Sequence, residues 1–86
     1  MPRYLIERKY AEEVDLNKID GDRISRINDE EGIKWVFSFL SADKLKTYCL
    51  YEAPNAEAIR VAARRLSLPA DSIIEVGAEL RPEMFS

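Results

Sequence analysis

The 86-residue chain contains no histidine, a single cysteine and three glycines. Without imidazole there is no Ser-His-Asp or Cys-His nucleophile, and no histidine-ligated haem. The lone thiol, Cys49, cannot close an internal disulfide and suits a reducing cytoplasm. Gly21, Gly32 and Gly77 stand far apart, so there is no glycine-rich phosphate loop. No apolar run approaches the ~20 residues of a membrane span. The opening segment MPRYLIERKY enters a strand pattern at once, without the apolar centre of a signal peptide. A basic excess is missing as well. Lys and Arg number 13 against 16 Asp and Glu, a net charge of −3, which argues against nucleic acid as a partner. The one basic cluster, Arg60, Arg64 and Arg65, has Glu52 and Glu57 close by and reads as a solvated, ion-paired helix face.

What the chain does have is a hydrophobic fraction of 47% beside a charged fraction of 34%, the balance of a folded domain. Residues 1–86 are expected to form one domain, small enough that association would add stability. Arg3 to Tyr10 reads as a strand with Tyr4 and Ile6 on one face and Leu5 and Glu7 on the other. Glu12 to Glu31 reads as helical: Asp15 is a candidate cap for a first turn, Asp20-Gly21 a kink or restart, and Gly32 the stop. Ile33 to Leu40 is the clearest strand. Strict alternation puts Ile33, Trp35, Phe37 and Phe39 on one face, and the apolar residues on its other face predict a central strand covered on both sides. Ser41 to Lys44 makes a turn into Leu45–Glu52, where Thr47, Cys49 and Tyr51 share one face and Tyr48, Leu50 and Glu52 the other. Asn55 caps a helix whose buried stripe is Ala56, Ile59, Ala63 and Leu66. A last strand is expected from Ser72 to Leu80, followed by a tail.

The order is β-α-β-β-α-β. Right-handed crossovers turn this into a ferredoxin-like α+β fold, a four-stranded antiparallel sheet with two helices on one face. The other face keeps large apolar side chains, and such a patch marks an interface. Two sheets stacked through it would form a homodimer, a dimeric α+β barrel.

Several side chains could carry chemistry. Cys49 is either a small buried apolar residue or a thiolate facing a cavity. Glu52 and Glu7 are solvated strand residues, or else ligands or a general base at a cavity mouth. Trp35, Phe37 and Phe39 are packing residues at a core or dimer interface, or the wall of a pocket for an apolar ligand. Tyr48 and Tyr51 could each lend a hydroxyl to that pocket.

Three stretches carry a resemblance to a known family: the W-V-x-S-x-x-S-x-D run from Trp35 to Asp43, the K-T-Y-C-x-Y-E-A-P run from Lys46 to Pro54, and Leu68-Pro69-Ala70-Asp71. With MPRYLIER at the start, the chain resembles the DUF4242 family, small bacterial proteins also described as nickel-binding or nickel-responsive. The resemblance implies a ferredoxin-like α+β fold, a homodimer, and a bound metal, nickel or another divalent ion. It also implies histidine where this chain has Phe37, and a second near Val61 and Ala62; Phe, Val and Ala offer a metal no donor. The donors left are Cys49, Glu52, Glu7, Glu75, Glu79 and the tyrosines. The expectation is a dimeric protein that binds a metal ion or a small apolar ligand without turnover. Two other classes stay open: an interaction module without a ligand, and a small dimeric barrel enzyme acting on an apolar substrate.

Overall fold

The computed structural model describes residues 1–86. It contains strand β1 (Arg3–Lys9), helix α1 (Gly21–Glu30), β2 (Lys34–Leu40), β3 (Lys46–Glu52), α2 (Ala56–Arg65) and β4 (Ser72–Val76). The strands form one antiparallel sheet in the order β2-β3-β1-β4. Both helices lie on one face, which is the expected ferredoxin-like α+β arrangement.

The core follows from alternation along the two central strands. Tyr4 and Ile6 of β1 stand opposite Tyr51 and Cys49 of β3, and all four are buried. Ile27 of α1 and Ile59 and Ala62 of α2 close over them. Asn55 starts α2 by accepting the Ala58 N–H at 2.9 Å. Gly32 ends the first crossover at φ +71°, a left-handed conformation that glycine adopts at little cost.

The structure corrects four expectations. The segment 12–31 is not one helix. Asp15 accepts the Asn17 N–H and holds a single 3₁₀ turn at Leu16–Lys18, and Asp20 accepts the Arg23 N–H and starts α1 afresh. Two local caps compete with a continuous helix, and at Asp20-Gly21 they win. Strand β2 is an edge strand, not a central one, because the crossover order leaves β1 and β3 in the middle. Its aromatics do not share a face. The β2–β3 register slips between Trp35 and Phe37, with Trp35 opposite Tyr51 but Phe37 opposite Leu50. Val36 is the extra residue of a β-bulge, so Trp35 joins the helix-covered face and Phe37 and Phe39 go to the open one. Finally, β4 stops at Val76 rather than Leu80, where its register partner on β1 is already that strand's first residue, Arg3.

Ile6 is fully buried and Ile59 nearly so. Ile6→Ala is expected to cost about 2–5 kcal/mol of unfolding free energy. Asn55→Ala, which removes only the cap, should cost about 1 kcal/mol. Urea denaturation followed by circular dichroism checks both.

Candidate functional site: a cavity under the sheet

A cavity of about 290 Å³ opens between the helix-covered face of the sheet and the segment that leads into α1. Its floor is β1 and β3, through Arg8, Thr47, Cys49 and Tyr51. Trp35, Ser38 and Leu40 of β2 form one side, and Leu68 closes the end towards α2. The opposite wall is Val14, Leu16, Ile19 and Ile24. That wall is held by backbone hydrogen bonds to the β2–β3 hairpin, from Tyr10 N–H to Leu45 O at 2.9 Å and from Val14 N–H to Lys44 O at 2.8 Å. The 3₁₀ turn then presents Leu16, which is 64% exposed and lies at the cavity mouth.

Polar groups gather on the floor. The Tyr10 hydroxyl lies 3.2 Å from Thr47 Oγ1, and the Cys49 thiol donates to the same oxygen at 3.6 Å. Trp35 Nε1 donates to Ser38 Oγ at 2.8 Å, an intrastrand contact across the bulge. Arg8 is only 3% exposed. Its Nη1 donates to Pro69 O at 2.5 Å, and its guanidinium carbon stands 5.8 Å from the centre of the Tyr51 ring, a cation–π distance. Burial pushes the Tyr51 phenol above its ordinary pKa, and the neighbouring Arg8 charge opposes that rise.

The three motifs noted in the sequence all bear on this cavity. The bulge in W-V-x-S brings Trp35 and Ser38 to the same side. The K-T-Y-C-x-Y-E run supplies Thr47, Cys49 and Tyr51. In Leu68-Pro69-Ala70-Asp71, Leu68 lines the space and Pro69 receives Arg8, while the Asp71 carboxylate accepts the Lys9 N–H at 2.7 Å and fastens the loop to β1.

Of the candidate residues, the structure brings together Cys49, Tyr51 and Trp35. It does not bring Glu7, Tyr48, Glu52, Phe37 or Phe39 to them. Glu7 pairs in register with Tyr48, and Glu52 lies between Arg3 and Lys34, all on the open face. Phe37 and Phe39 also stand there, edge to face with ring centres 5.4 Å apart. No group of three or more Cys, Asp or Glu side chains is placed to hold a metal ion, and Cys49 is separated from Glu7 and Glu52 by the sheet itself. The donors of one chain therefore do not fit a nickel site. Arg60, Arg64 and Arg65 are ion-paired on the surface, Arg65 with Glu30 at 2.5 Å and Glu31 at 2.8 Å. Arg8 is the residue the sequence reading missed. Its signal was parity: Tyr4, Ile6 and Arg8 alternate, so a charge occupies the third inward position of β1.

A family model for nickel-responsive SCO4226-like proteins matches residues 4–76. The chain belongs to this family. The expected kinship with small nickel-responsive proteins holds under that name; the DUF4242 name itself is not part of the match. Among solved structures, the crystal structure of SCO4226 from Streptomyces coelicolor A3(2) is similar, with a TM-score of 0.79 at 19% identity, covering 91% of this chain and 99% of that one. At that identity the likeness shows the fold. No curated protein matches the chain.

The turn that anchors the cavity's outer wall carries a hydrogen-bonded carboxyl, Asp43. The Ser41 hydroxyl, donating at 2.6 Å, and the Leu45 N–H hold the Asp43 carboxyl below its ordinary pKa. A depressed folded-state value means that the contribution to stability is present above the unfolded pKa and is lost as pH falls through the folded one. The Leu45 amide resonance should therefore titrate below the usual carboxylate range, and in Asp43→Asn that acid-range shift should disappear from the NMR titration.

Proposed function

We propose that this chain is a non-catalytic binding protein that holds a small, largely apolar ligand in the cavity beneath its sheet and works as a homodimer through the open face. The observation that carries the first part is the cavity itself. It has the dimensions at which small-ligand pockets begin, about 300 Å³, and the expected apolar walls with a few convergent polar groups. Neither carboxylate nor imidazole lines it, so its groups suit recognition better than proton transfer. A lone cysteine, Cys49, with no partner for an internal disulfide is compatible with a cytoplasmic setting, and no helix is long and apolar enough to cross a membrane.

The second part is supported by the open face. Leu5, Phe37, Phe39 and Ile74 are each at least 37% exposed, and Leu50 and Val76 lie among them in register. The same face carries both signs of charge, Arg3 and Lys34 beside Glu52 and Lys46 beyond Glu7. An isologous pairing can set Glu52 and Glu7 of one copy against basic residues of the other, which favours a second copy of this chain as the occupant. Nickel enters this reading only through the family's name.

Trp35 lines the cavity and is the chain's only tryptophan, so it reports occupancy directly. Titration with 1-octanol should change its emission saturably, and an unchanged spectrum across a panel of apolar alcohols and aromatics would count against the pocket. Phe39, 66% exposed, tests the dimer. Phe39→Asp should leave the circular dichroism unchanged and shift the mass by light scattering from two chains to one. A dimer that survives the substitution uses another surface.

A further inference from the structure

Arg8 lies at the bottom of an apolar cavity with no acidic partner. None of the chain's six ion pairs includes it, and it is the one charged residue that lines the space. A buried charge normally has a counter-charge, because its desolvation otherwise goes largely uncompensated. Here the protein offers a backbone carbonyl, Pro69 O, to Nη1 and the face of Tyr51 to the guanidinium plane. The Nε–Nη2 edge is left without a carboxylate. No side-chain nitrogen is sealed from space without an acceptor, and Arg8 is one of the residues that line the cavity.

Resting on the binding reading above, we propose that the cavity takes an amphipathic monoanion, a carboxylate with a short apolar tail, whose charge is met by Arg8. A guanidinium edge matches a carboxylate in two parallel hydrogen bonds. The hydrogen-bonded hydroxyl pair Tyr10–Thr47 stands on the same floor and keeps one proton free as a further donor, and Val14, Leu16, Ile19 and Leu40 receive the tail. Size limits the tail. The space of about 290 Å³ lies at the lower end of small-ligand pockets, about 300–1,000 Å³, which suits a short-chain ligand. Octanoate, with an eight-carbon chain and its carboxylate, is of that size.

The rival explanation is that Arg8 only latches the loop at Pro69 to β1. A latch would make Arg8 substitutions destabilising but would give the cavity no preference for charge. The two are separated by three probes that share a tail: octanoate, 1-octanol and octylammonium. Each is titrated against the dimer or monomer as purified at neutral pH, with Trp35 emission and calorimetry as readouts.

Octanoate should bind at least about tenfold more tightly than 1-octanol, and octylammonium more weakly than either. Because Arg8 is buried, the preference should persist near 1 M salt, where the screening length is ~3 Å; attraction to surface lysines would vanish there. Arg8→Gln should abolish the preference of the cavity for octanoate over 1-octanol. Arg8→Lys, which keeps a charge but not the fork, should retain part of the preference. Should Arg8→Gln fail to fold, the probe series on the parent still decides. Equal affinities for octanoate and 1-octanol, or tighter octylammonium, would overturn the anion assignment and leave the apolar pocket standing. Silence with all three probes would overturn the pocket and this assignment together.

Discussion

Between Trp35 and Phe37 the ladder joining β2 to β3 slips by one residue, and the side of the sheet that each aromatic faces depends on that slip. A strand has period two, so one extra residue sends everything after it to the opposite face. Before Val36, Trp35 stands against Tyr51 on the helix-covered side. After it, Ser38 and Leu40 continue that side, and Phe37 and Phe39 leave for the open one. Without the bulge, the two phenylalanines would fall into the cavity and fill it, and Ser38 and Leu40 would be turned outward. The empty space under the sheet and the aromatic patch above it are thus two results of a single backbone feature. An edge strand tolerates it because only one ladder is interrupted there.

The second constraint is electrostatic. Burying Arg8 costs free energy that hydrophobic packing alone cannot return. Pro69 O and the Tyr51 ring offset part of it, and both are fixed by neighbouring structure: Tyr51 by the core, Pro69 by a loop whose Asp71 is bonded to the Lys9 N–H. Arg8 therefore couples three parts of the chain, the end of β1, the end of β3 and the α2–β4 loop. The same position that is expensive in an empty pocket becomes favourable when an anion enters it. This is the physical sense in which a site can be built in advance for a charge it does not yet hold.

Much of the fold was legible in the sequence because the central strands obey simple alternation. Tyr4 and Ile6 against Leu5 and Glu7, and Thr47, Cys49 and Tyr51 against Tyr48, Leu50 and Glu52, are divided in the structure as they are by parity. Asn55 and Gly32 marked helix ends, and Asp20-Gly21 a kink or restart, through local chemistry that needs no tertiary knowledge. The edge was less readable. Apolar residues on both faces of β2 look like a buried central strand, but they are also what an edge strand shows when a bulge divides it between a cavity and an open patch. The site was half legible for the same reason. Cys49, Tyr51 and Trp35 were candidates, whereas Glu7 and Glu52 were grouped with them although the sheet lies between. Arg8 was hidden in plain alternation, since a charged residue at the inward position of a strand conveys its burial only once the neighbouring strand is known.

Phe37 gives the family relationship its meaning for this chain. It stands where the resemblance to nickel-responsive proteins implies histidine, and it lies on the open face beside Phe39, across the sheet from Arg8 and Cys49. An imidazole at that position would point away from the cavity. Phenylalanine at this position offers no donor on the open face and adds packing area there. A change on one side of the sheet can therefore alter what the open face does without disturbing what lies beneath it. The two faces thus divide the work we propose for this chain, the open one offering apolar area to a second copy and the helix-covered one a buried guanidinium that sets the sign of the charge it accepts.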